Sequence, residues 1–141
     1  MIRKSLLDKY NGFDTDLGMI DRRLRYAEEI AIQMRARKDG YTIAYDPSLS
    51  IGHIIRAEKI STSWLLRAEF ARRRDKMKIE PKSLPQLTWR LTLTLGKTVL
   101  RYPASIIRSV IMKNYTYRQA TFDSLKPLAY RFGEWWGVLR K

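Results

Sequence analysis

Two adjacent carboxylates, Glu28 and Glu29, stand near the head of the stretch YAEEIAIQMRARKDGY, residues 26–41. A surface helix needs neither of them there. At a helix N-terminus the dipole favours a charged carboxylate. A carboxylate so placed does acid–base work only where a reacting group comes within hydrogen-bond reach; otherwise it is a solvated residue that complements the dipole. His53 is the single histidine. By itself it reads as a hydrogen-bonded residue at a strand end. Asp14 and Asp16 belong to a loop, NGFDTDLG (11–18), where aspartates commonly bond their own backbone. Gly12 serves backbone conformation there.

The elements that must position these residues follow from spacing. Ile2, Leu6 and Leu7 suggest a short first helix, and Asn11-Gly12 marks a turn. A longer helix is expected from near Arg22, with Leu24, Ala27, Ala31 and Met34 three and four apart and Ile30 beside them. Arg35, Arg37 and Lys38 complement its dipole, and Gly40 is suited to a left-handed cap. Tyr41, Ile43 and Tyr45 alternate with Thr42 and Ala44, a strand pattern closed by Asp46-Pro47. Residues 49–55 read as a second strand, with Leu49, Ile51 and His53 on one face. Ser61 or Ser63 would cap a helix running to about Lys76, which carries Trp64, Leu65, Ala68 and Phe70.

After Pro81 the composition changes. Leu84, Leu87, Leu91, Leu95 and Val99 form one helical stripe, with Arg90, Lys97 and Arg101 on the other side. Pro103 is expected to start a new segment carrying Ile106, Ile107, Val110 and Ile111. A third helix beyond Tyr115 carries Phe122, Leu125, Leu128, Ala129 and Phe132. The chain thus reads as a mixed α/β part, residues 1–80, and a basic helical part, residues 81–141.

The 141 residues carry a formal charge of +14, unevenly spread. Residues 1–47 hold nine basic and eight acidic residues, whereas residues 48–141 hold nineteen and six. That field favours anionic partners: phosphates, nucleic acid or an anionic membrane face. The absence of cysteine excludes disulfides and thiolate metal sites and fits a reducing compartment. The basic N-terminus lacks the apolar core of a signal peptide, and no apolar run is long enough to span a membrane.

Four pieces in order, NGFDTDLG, YAEEIAIQMRARKDGY, TIAYDPSLSIGH and the Trp64–Arg74 helix, resemble the second half of a family 2 glycosyltransferase domain of the GT-A fold. The final DSLKPLAYRFGEWWGVLR is similar to the tail of bacterial members. The resemblance implies an α/β fold: the C-terminal half of a GT-A domain, followed by amphipathic α-helices. It implies an enzyme that moves a sugar from a nucleotide-sugar donor to a hydroxyl of a saccharide or lipid-linked acceptor. In the family the acidic pair faces the acceptor, and one carboxylate takes the proton of the attacking hydroxyl. Glu29 matches that base and Glu28 its partner, with Glu at the second position where Asp is commoner. Gly12, Phe13 and Asp14 match the acceptor loop, and His53 matches a contact to the diphosphate or metal. The DTD string does not match the family's Asp-x-Asp metal motif, because its setting is the acceptor loop. A divalent cation, Mn²⁺ or Mg²⁺, is implied by the family, but its Asp-x-Asp ligands are not in this chain. The resemblance begins in mid-domain, so the expectation is a fragment or one part of a split protein. Alone it would be weak or inactive for want of an N-terminal nucleotide-binding half.

The tail, with Leu/Ile faces, Lys/Arg opposite and scattered Trp and Tyr, suits helices lying in a membrane interface. A helical subdomain with solvated charges is the alternative. The implied location is cytoplasmic, peripheral at the inner face of the membrane. Nucleic-acid binding is permitted by the charge and by Arg72–Arg74, but no helix-turn-helix, zinc or RNA-recognition signature supports it. A non-catalytic basic binding protein is the remaining class.

Overall fold

Helices carry all the regular secondary structure in a computed structural model of the chain, which describes residues 2–17 and 24–140. They are α1 (Lys4–Lys9), α2 (Glu28–Lys38), a 3-10 turn (Ala57–Ile60), α3 (Thr62–Ile79), α4 (Leu84–Ile111) and α5 (Tyr117–Leu139). No strand occurs among the described residues. The expected α/β architecture, the C-terminal half of a GT-A domain, is therefore corrected to an all-helical one. The physical reason lies in residues 41–55. They keep the alternation of a strand but are irregular and exposed, with Tyr45 at 90% and Ile51 at 91%. A strand persists only where a neighbouring strand takes up its N–H and C=O groups. No described segment does so.

Two compact units make up the chain, Met1–Ile55 and Arg56–Lys141. In the first, α1 ends in a left-handed turn at Asn11 (φ 55°) and Gly12 (φ 79°), where the Gly12 N–H donates to Leu7 O at 2.8 Å. α2 closes with Gly40 at φ 84°, and the Tyr41 N–H reaches Ala36 O at 3.0 Å. Its interior is small: Leu17, Ala27, Ala31, Ile32 and Ala36. The helix expected from near Arg22 begins at Glu28. Residues 24–27 are not helical, and Arg22 lies outside the described residues.

In the second unit α5 packs against both α3 and α4. Ser61 caps α3, accepting from the Trp64 N–H at 3.3 Å. α5 opens with a reciprocal cap in which the Gln119 N–H donates to Thr116 Oγ1 at 3.3 Å and the Thr116 N–H to Gln119 Oε1 at 2.8 Å. Gly133 and Gly137, one turn apart, let α5 lie directly on the α3 backbone: a Cβ at either would collide with the carbonyl of Phe70 or Arg74. Phe132 and Phe70 close that seam, ring centroids 5.5 Å apart. Arg73 lies over the Tyr130 ring at 3.7 Å. The Trp135 indole N–H donates to Thr88 Oγ1 at 3.0 Å, linking α5 to α4.

The expected break at Pro103 does not occur, since α4 is continuous to Ile111. One lost intrahelical bond is tolerated in a helix braced along its length by a neighbour. No helix among the described residues is long and apolar enough to cross a membrane.

Candidate functional site

The acidic pair occupies the first two residues of α2. It is therefore at the positive end of the helix dipole, where backbone N–H groups have no intrahelical partner. Glu29 is exposed and Glu28 half-buried. The residue before them, Ala27, is buried and holds a left-handed backbone, φ 87° and ψ 1°. Its carbonyl nevertheless accepts the first helical bond, from the Ala31 N–H at 2.8 Å. A non-glycine residue in that region costs energy and persists only where its surroundings fix it.

The loop carrying Gly12, Phe13 and Asp14 is tied to the same helix. Asp14 pairs with Arg35 of α2, oxygen to nitrogen 3.6 Å. Asp14 also accepts from the Asp16 N–H at 2.9 Å, and its carbonyl accepts from the Leu17 N–H at 3.1 Å. Asp14 thus shapes its own loop while anchoring it. Arg35 lies two turns beyond Glu28, about 20° around the helix and about 10 Å along it. Glu28 consequently shares the tethered side, whereas Glu29 points about 120° away from Arg35. Phe13 remains 44% exposed beside this tether.

A second link closes the far end of the unit. Asp39, just past α2, receives Lys9 Nζ at 2.6 Å and the Tyr10 hydroxyl at 2.9 Å. The hydrogen bond from Lys9, then that from Tyr10, holds the Asp39 carboxyl below its ordinary range. Lys9 is raised in turn, chiefly by the same bond. Loop and helix are thereby pinned at two places.

Among the described residues, no contact joins His53 to this cluster. It sits in the exposed irregular stretch after Asp46. Among the described residues no three of His, Asp or Glu come together as a metal site. Gly18 of the loop motif lies outside the described residues.

The arginine cluster on α3 is internally matched. Arg72 Nη1 and Arg73 Nε each reach Glu69 at 3.2 Å, and Arg74 forks onto the buried Asp75 at 2.8 and 3.0 Å. Arg72 and Arg73 thus share Glu69 on α3, and Arg73 also stacks on Tyr130 of α5. Neither the Asp14–Arg35 pairing nor the Ala27 backbone was signalled by residue type or local spacing.

No family model, no curated protein and no solved structure matches the chain.

Proposed function

We propose that the chain supplies the acceptor-side residues of a glycosyltransferase that uses a nucleotide-sugar donor. Glu29 is the general base in this reading. It takes the proton of an acceptor hydroxyl as that oxygen bonds the sugar's anomeric carbon and the bond from that carbon to the nucleoside diphosphate breaks. The proton ends on Glu29, and the diphosphate leaves with the bonding electrons. Glu28, on the tethered side of α2, positions its neighbour. Phe13 and Asp14 line the acceptor side. The donor, and the Mn²⁺ or Mg²⁺ that would neutralise its diphosphate, belong to a partner segment outside this chain, with His53 reaching toward it. The place of action is cytoplasmic, peripheral at the inner face of a membrane.

One observation carries the reading: the loop of Gly12, Phe13 and Asp14 is joined by Arg35 to the helix that Glu28 and Glu29 open, on the side that Glu28 shares. That joins two of the motifs on which the resemblance rests. The exposure of Glu29 also suits a base that must meet an incoming hydroxyl.

The test is turnover of the enzyme assembled with its donor-binding partner, followed as nucleoside diphosphate released from nucleotide-sugars. Glu29→Gln is expected to lower turnover about 10²–10⁴-fold while donor binding holds. Full turnover in that variant overturns the assignment.

A basic, non-catalytic membrane-binding protein is the second reading, favoured by the exposed apolar side of α4.

A further inference from the structure

α4 meets α5 along a mixed polar and apolar side and leaves many of its large apolar residues exposed. Around Leu87, its one buried residue, the half-buried side includes Leu91, Thr94, Thr98, Tyr102, Ser105 and Ile106. The opposite side exposes Trp89 (64%), Val99 (65%), Leu100 (80%), Ile107 (60%), Val110 (82%) and Ile111 (76%). At 3.6 residues per turn, these six positions fill an arc of about 120° on a helix about 42 Å long. Along one edge of that arc run Arg90, Lys97, Arg101 and Arg108, spaced seven, four and seven residues apart. They occupy a strip about 40° wide between the apolar arc and the side that meets α5. α4 contains no aspartate or glutamate.

We propose that this outward face of α4 docks the chain onto an anionic lipid bilayer, the helix lying in the headgroup plane. The apolar arc enters the acyl boundary, and the basic strip meets lipid phosphates at its margin. Trp89, on the arc and within the first turns, suits headgroup depth. The helix has the length of a membrane span but not the apolarity, so it lies on a bilayer and does not cross it. Charge selects this occupant over a second copy of the chain. An opposing α4 would bring no carboxylate to the basic strip, whereas an anionic surface matches all four cations. Placement at a membrane face is part of the reading above, but the docking surface holds with or without sugar transfer. Its readout is binding, so its failure is distinct from failure of the Glu29 assignment.

The experiment is co-sedimentation of the full chain with vesicles of phosphatidylcholine containing about one-third phosphatidylglycerol, and with phosphatidylcholine alone. Preferential binding to the anionic vesicles is expected. L100E/V110E, at two positions open to solvent, should weaken it more than about tenfold, with helix content by circular dichroism unchanged. Replacing Arg90, Lys97, Arg101 and Arg108 together by Gln should cost about a hundredfold or more and erase the preference for anionic lipid. Three results would overturn the proposal. One is that neither vesicle binds the wild-type chain. Another is that L100E/V110E binds as tightly as wild type. The third is a dimer in buffer that L100E/V110E disperses without any vesicle binding, which would make a second copy the occupant.

Discussion

The ammonium of Lys82, in the link between α3 and α4, stands 2.5 Å from a carboxylate oxygen of Glu134 on α5. Glu134 is 1% exposed, and Arg131 takes its other oxygen at 2.8 Å. Burial pushes this carboxyl upward, but the hydrogen bonds from Lys82 and Arg131 outweigh it and hold Glu134 below its ordinary range. A carboxylate depressed in the folded state stabilises the fold above its unfolded value, and that stability is lost as pH falls through the folded one. Thermal unfolding followed by circular dichroism should therefore show a midpoint that drops on acidification below the ordinary glutamate range. Glu134→Gln should flatten that dependence and cost about 2–3 kcal/mol at neutral pH. An unchanged pH profile in the variant would remove Glu134 from the account.

Gly133 and Gly137 set how close α5 comes to α3. A Cβ at Gly133 would also lie 3.1 Å from the Arg73 Cβ, and one at Gly137 3.0 Å from the Met77 Cβ. The obstructing carbonyls are backbone, so relief requires the helices to part. Gly133→Ala should destabilise the unit by about 1–3 kcal/mol, although alanine is the better helix former. Gly96→Ala on α4 is the control: nothing lies within 4 Å of its added methyl. It should be neutral or stabilising by up to about 1 kcal/mol. Urea unfolding of both variants decides this.

What could be read from the sequence was what local chemistry determines. Ser61 before Trp64, the left-handed Gly40 and the Asn11-Gly12 turn all appear in the structure where the residue types imply them. The strands at residues 41–55 do not, because pairing is non-local and alternation alone supplies no partner. α4 shows another limit. Leu84, Leu87, Leu91, Leu95 and Val99 share a stripe, yet only Leu87 is buried. The apolar arc is wider than one packing surface, so period alone does not say which part of it meets α5. Glu28 and Glu29 open α2, where carboxylates complement its dipole, although the apolar spacing put the start near Arg22. Their tie to the loop was not, because Asp14 and Arg35 are far apart in sequence and share no local spacing.

The tether can be separated from stability. Asp14 and Arg35 are 32% and 48% exposed in their side chains, so Arg35→Met should change stability by less than about 1 kcal/mol. If the loop forms the acceptor side, the same change should raise the acceptor KM severalfold with little change in donor KM. Steady-state kinetics with each substrate varied in turn distinguishes this. A uniform loss of kcat with both KM values unchanged would count against an acceptor-side role for the loop.

Ala27 offers the sharpest comparison on α2. Its left-handed backbone directly precedes the acidic pair. Glycine adopts that conformation without the penalty that an L side chain meets, of order 1 kcal/mol. Against that gain stand the greater chain freedom of glycine when unfolded and the loss of one buried methyl. Ala27→Gly should therefore leave stability within about 0.5 kcal/mol of the parent. Ala31→Gly, one turn on and also buried, meets no such relief and should cost about 1 kcal/mol or more. Urea midpoints of the two variants test the assigned geometry, since an ordinary helical backbone at Ala27 would make the two costs alike. If the strain at Ala27 aims the acidic pair, Ala27→Gly should also lower turnover of the assembled enzyme while Ala31→Gly lowers stability alone.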